Sequence, residues 1–139
     1  MADTEQENTA PGGAGRKPGS GIRLLLVDDE EAYVNVLANR LAKRGFEVTK
    51  AYSGGEAFQK LRGGQFDVAV LDLKMDDMDG IEILKIIKLT VPRMQVIMLT
   101  GHGSATACDE GMKMGAFDYL MKPCDLDELI AKIKAAVSQ

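Results

Sequence analysis

From Ile22 onward the chain repeats one pattern five times: a short apolar run, then a stretch with helical periodicity. The runs Ile22 to Val27, Phe46 to Ala51, Asp67 to Leu71, Met94 to Leu99 and Phe117 to Met121 are mostly continuous in apolar residues, as strands buried on both faces are. Between them, Val34, Leu37, Ala38 and Leu41 fall at i, i+3, i+4 and i+7, and Leu126, Leu129, Ile130 and Ile133 repeat that spacing. Ser53 with Glu56, Asp79 with Glu82 and Asp125 with Glu128 have capping-box spacing at helix starts. A regular βα alternation demands right-handed crossovers, and so predicts a parallel sheet with helices on both faces. The segment Ser104 to Met114, with Thr106, Cys108 and Gly111, has the poorest helix propensity; it suits an element that moves, or one that packing alone holds still.

A length of 139 residues fits one well-buried domain. The net charge of -4 comes with no lysine or arginine stripe, which argues against direct nucleic-acid binding. Cys108 and Cys124 lack zinc-site spacing and read as free thiols in a reducing compartment. The N-terminus lacks the basic and apolar regions of a secretory signal, and no apolar stretch is long enough for a bilayer, so the expectation is a cytoplasmic protein without membrane contact. Residues 1–21, rich in glycine with Pro11 and Pro18, read as a flexible tail, with Arg16 and Lys17 as solvated linker charges.

Three of the apolar runs end in charge. Ile22 to Val27 leads into Asp28 and Asp29, Asp67 to Leu71 into Asp72, and Phe117 to Met121 into Lys122 and Pro123. In an open parallel sheet the carboxyl ends of the strands share one edge, where ligands bind, so these groups converge. Asp28 could cap the next helix with Glu31 at its third position, but a cap explains one acid and not two. Carboxylates crowded together repel unless a cation sits among them, and Mg²⁺ favours such hard oxygen ligands. Phosphate-cradling loops after the first strand of similar folds are rich in Gly, Ser or Thr; here that loop is acidic and repels a phosphate lacking metal. A carboxylate beside Mg²⁺ can act as a nucleophile toward a phosphoryl group, which makes Asp72 the candidate acceptor. Thr100 and Lys122, closing two further runs, offer a hydroxyl and an ammonium to phosphoryl oxygens.

The motifs Leu25-Leu26-Val27-Asp28-Asp29-Glu30, Val70-Leu71-Asp72-Leu73-Lys74-Met75, Val96-Ile97-Met98-Leu99-Thr100 and Tyr119-Leu120-Met121-Lys122-Pro123 occur in this order over a chain that resembles, from 22 to 138, the receiver domain of bacterial two-component response regulators. Each motif alone is weak, but the four together are specific. The resemblance implies a flavodoxin-like, doubly wound α/β fold: a five-stranded parallel sheet of order 2-1-3-4-5 with five helices. It implies phosphorylation of Asp72 by the phosphohistidine of a sensor histidine kinase or phosphotransfer protein. It also implies Mg²⁺ ligated directly by Asp29 and Asp72 and by the backbone carbonyl of Lys74, with Asp28 assisting through water. Lys122 would pair with the phosphoryl group, the peptide before Pro123 would be cis, and Thr100 and Tyr119 would be the switch residues that change contacts with a downstream effector protein. A phosphorylation-dependent homodimer is compatible with it.

The chain departs from the family pattern at Asp76, where proline is common, at Gly101, where alanine is frequent, and at Cys124, often aromatic or aliphatic. Asp76 is expected to alter Mg²⁺ affinity or turn rigidity. The only histidine, His102, reads as an exposed loop residue, or as a neighbour of the site that affects how water reaches the phosphoryl group. Met75, Met94, Met98, Met112, Met114 and Met121 are expected to fill core and partner surfaces. The leading expectation is a stand-alone signalling receiver rather than a turnover enzyme. The alternatives are a receiver fragment of a larger transcriptional regulator, a constitutive docking module, and a Mg²⁺-dependent phosphatase working through an aspartyl phosphate. Lys74 stands against the phosphatase, because the best-known enzymes of that chemistry place a second aspartate two residues after the nucleophile.

Overall fold

A computed structural model describes residues 21–101 and 105–139. The expected tail, apart from Gly21, lies outside the described residues, as do His102 and Ser104. The elements alternate without exception: β1 (Arg23–Val27), α1 (Glu31–Lys43), β2 (Glu47–Ala51), α2 (Gly54–Gly63), β3 (Val68–Asp72), α3 (Gly80–Thr90), β4 (Gln95–Thr100), α4 (Ala105–Lys113), β5 (Asp118–Met121) and α5 (Leu126–Val137). The five strands form one sheet of order β2-β1-β3-β4-β5, and every neighbouring pair is parallel. The parallel sheet is the one the alternation predicts, and its doubly wound order is the one the resemblance implies.

Strand side chains alternate between two apolar clusters. Leu24, Leu26, Val68, Val70, Ile97 and Leu99 face one cluster with Val34, Leu37 and Leu41 of α1 and Leu129 and Ile133 of α5. Leu25, Val27, Ala69, Leu71, Val96 and Met98 face the other, with Ala57 of α2 and Ile83, Leu84 and Ile87 of α3. The helical stripes read from the sequence are therefore the packing faces.

β2 is not the continuous apolar strand the sequence reading expects. It is an edge strand that exposes Glu47 and Lys50 and buries Ala51, because only β1 pairs with it. The start of α2 forms a reciprocal capping box: Ser53 Oγ accepts the Glu56 N–H, and Glu56 Oε1 accepts the Tyr52 N–H. Asp125 likewise accepts the Glu128 N–H, whereas Asp79 takes the Ile81 N–H in place of that of Glu82. α4 buries Cys108 and Gly111; a Cβ at Gly111 would lie 2.6 Å from Met98 Cε, so the glycine lets this helix sit close to β4. Met94 and Met98 are buried, whereas Met112, Met114 and Met121 are exposed. No helix among the described residues is long and apolar enough to cross a membrane.

Candidate functional site

β1 delivers its two acids to different tasks. Asp28 still follows the ladder, its N–H donating to Ala51 O at 3.1 Å, and its side chain is fully buried. Its Oδ1 accepts the Glu30 N–H at 3.0 Å. The capping role considered for Asp28 is not what the structure has: Glu30 occupies the N-cap of α1 and makes no side-chain cap bond. Asp29 is half-buried, and its Oδ2 accepts the Asp76 N–H at 2.9 Å. Asp72 is the last residue of β3 rather than the first beyond it; it is 5% exposed, and its Oδ1 accepts the Lys74 N–H at 3.2 Å. One oxygen from each of Asp28, Asp29 and Asp72 lies within 4.8 Å of the others.

The fifth strand brings the cation. Lys122 donates its N–H to Thr100 O at 2.8 Å, which extends the β4–β5 pairing past Met121, and the Lys122–Pro123 peptide is cis. Its ammonium lies 2.6 Å from Asp28 Oδ2, 2.8 Å from Glu30 Oε1 and 3.4 Å from Asp72 Oδ2. It also sits 5.0 Å from the centroid of the Tyr33 ring, within cation–π range. The Tyr33 hydroxyl and Cys124 Sγ are 3.6 Å apart, which ties the ring to the loop after β5.

Burial pushes the Asp72 carboxyl up to about 6, and the neighbouring Asp28 charge adds to the shift, against the Lys74 N–H and Lys122. Burial works against the charged form of Lys122 too, but Asp28 and Glu30 overcome it and hold the ammonium above its ordinary value. A buried acid resisting ionisation beside a second buried acid is the arrangement a divalent cation relieves. The donor set is all carboxylate oxygen, which fits Mg²⁺ in kind.

Thr100 ends β4 and is 5% exposed. It pairs with Met121, one step beyond Leu99, the partner of Asp72. Tyr119 is 40% exposed. Asp29, Asp72, Lys74, Asp76, Gly101 and Lys122 line a depression of about 750 Å³ with Glu30 and Tyr33. The sequence reading did not single out Glu30 and Tyr33 as site residues. Their signal was position: three apart at the start of a helix, they share a face beside the strand edge. Nor was Asp77 singled out; its carboxylate accepts the Gly54 and Gly55 N–H groups at 3.0 and 3.2 Å and so fastens the loop after Asp72 to the start of α2.

Residues 24–134 match the family described as response regulator receiver domain. The transcriptional regulatory protein ZraR of Escherichia coli K12 is 38% identical over 117 residues, which cover 84% of this chain and 26% of ZraR. A solved CheY-like receiver domain protein from Methanospirillum hungatei is 34% identical, with a TM-score of 0.81 over 84% of this chain and 94% of its own. A response regulator from Burkholderia pseudomallei, solved with a phosphorylated aspartic acid, a calcium ion and citrate, is 26% identical, with a TM-score of 0.78 over 84% of this chain and 69% of its own. The chain thus spans about a quarter of the length of ZraR, a larger transcriptional regulator. By sequence match and by fold, the chain belongs to the response regulator receiver domain family.

Proposed function

We propose that residues 22–138 act as a phosphoacceptor receiver in a two-component phosphorelay. The observation that carries this reading is the meeting of Asp28, Asp29 and Asp72 at one sheet edge, with the Lys122 ammonium 3.4 Å from Asp72. Asp72 is the acceptor. Its carboxylate oxygen attacks the phosphorus of a phosphohistidine presented by a sensor histidine kinase or phosphotransfer protein; the P–O bond forms, the P–N bond breaks, and the imidazole leaves with a proton. Asp28, Asp29, Asp72 and the Lys74 carbonyl would hold Mg²⁺, which when bound supplies positive charge against the phosphoryl oxygens. Lys122 pairs with the phosphoryl group from the β5 side. Thr100 and Tyr119 answer the new charge, and the surface around them selects a downstream effector protein. The Burkholderia regulator, of similar fold and solved with a phosphorylated aspartic acid, supports an aspartate as the acceptor. The similarity to ZraR favours a receiver within a larger regulator as the second reading.

Intact-protein mass spectrometry after incubation with acetyl phosphate tests the reading on the parent and on Asp72→Asn. A single phosphoryl adduct that needs both Mg²⁺ and Asp72 is the expected result. No adduct from acetyl phosphate or from a phosphohistidine donor overturns it.

A further inference from the structure

Lys122 pairs with the acceptor but lies closer to two other carboxylates. Of its three carboxylate neighbours, Asp72 is the farthest at 3.4 Å, against 2.6 Å to Asp28 and 2.8 Å to Glu30. Asp28 is needed where it is, because its other oxygen holds the Glu30 N–H and the residue belongs to the acidic cluster. Glu30 is different. Its side chain is 64% exposed and gives α1 no cap bond, and the helix uses only its backbone carbonyl, which accepts the Val34 N–H at 3.0 Å. Among the described residues its carboxylate bonds to Lys122. The ammonium also lies 5.0 Å from the centroid of the Tyr33 ring, whose hydroxyl contacts Cys124.

We propose that Glu30 is a positioning residue that competes with the phosphoryl group for Lys122, and so sets how strongly the acceptor site holds a phosphoryl-like anion. The proposal rests on the phosphoacceptor reading of Asp72. When a tetrahedral anion arrives there, Lys122 must give up Glu30 to face it, and breaking that pair reduces the net gain. With Glu30 neutralised, the lysine meets the anion without a competitor. An exposed pair is modest in strength, so the effect is a tuning of affinity rather than an on-off switch.

The test measures beryllofluoride affinity at fixed Mg²⁺ for the parent, Glu30→Gln and Asp76→Asn. Asp76 lines the same depression and has no ion pair with Lys122, so its variant reports the effect of removing a nearby negative charge alone. Glu30→Gln is expected to tighten binding about two- to fivefold, more than Asp76→Asn, with the gain shrinking as salt screens the exposed pair. Equal affinity in the parent and Glu30→Gln, or an equal gain in both variants, overturns the proposal while leaving the acceptor reading intact. A parent that binds no beryllofluoride with Mg²⁺ overturns the acceptor reading and this proposal together. α1 does not use the Glu30 side chain, so Glu30→Gln should fold as the parent does, which circular dichroism checks.

Discussion

Asp29 Oδ2 accepts the backbone N–H of Asp76 at 2.9 Å, so one oxygen of the acidic cluster is already tied to the loop that follows Asp72. A proline at this position has no N–H to offer. Asp76→Ala removes the side-chain charge alone, whereas Asp76→Pro removes the charge and the tether. Asp76→Pro should bind Mg²⁺ about threefold more tightly than Asp76→Ala, the factor expected from freeing one modest hydrogen bond. Isothermal titration of both variants checks this; equal affinities would show that the tether does not compete with the metal.

Asp72 is costly to the metal-free fold. It is 5% exposed, and burial and the charge of Asp28 both disfavour its ionised form. Asp72→Asn should therefore raise stability by about 2 kcal/mol at neutral pH without Mg²⁺. Saturating Mg²⁺ should stabilise the parent and leave the variant little changed, since only the parent keeps the full ligand set. Thermal melts of both proteins with and without Mg²⁺ read this directly. A variant less stable than the parent in the absence of metal would contradict it.

At the opposite edge of the sheet, Asp67 holds Arg23 through the guanidinium at 3.0 Å and the backbone N–H at 2.8 Å. The Arg23 side-chain hydrogen bond keeps the Asp67 carboxyl below its ordinary value, against the effect of burial. Because the folded value is depressed, the stabilisation is present above the ordinary carboxylate range and is lost as pH falls through the folded value. Asp67→Asn should cost roughly 1 kcal/mol at pH 7, the pair being partly exposed, and the difference from the parent should close under acid. Urea melts across that range would show the two curves converging; a gap independent of pH would assign the loss to packing.

Gly80 opens α3 against the strand that ends in Asp72. A Cβ there would lie 2.6 Å from Leu73 Cα and closer still to the Asp72 carbonyl oxygen, with only backbone to give way. Gly80→Ala should cost about 3 kcal/mol or more. Gly55→Ala makes the contrast: its Cβ would meet only Ser53 Oγ at 3.9 Å, and an alanine in a first helical turn should stabilise by up to about 1 kcal/mol. Chemical denaturation of the pair tests both directions.

The fold was legible because strand and helix signals alternate with so little ambiguity. Each expected strand begins one residue earlier than the observed one, and at Ile22, Asp67 and Phe117 that extra residue still shares a backbone hydrogen bond with a neighbouring strand. The meeting of the acids with Lys122 was legible because strand ends in a parallel sheet share an edge. Glu30 and Tyr33 were not, because their importance comes from where the Lys122 side chain turns after β5. A one-dimensional pattern carries no information about that rotamer. Asp77 escaped for a related reason: its partners, the amides of Gly54 and Gly55, are more than twenty residues away along the chain.

The sheet divides the interior into two apolar compartments that share strands but not side chains. Ile133 and Ile87, on opposite sides, have no common apolar neighbour in either cluster, so Ile133→Val and Ile87→Val should add in free energy to within about 0.5 kcal/mol. The face carrying α1 and α5 can thus change its packing without disturbing the face carrying α2 and α3. One molecule can offer two independently adjustable surfaces on either side of a single acidic edge.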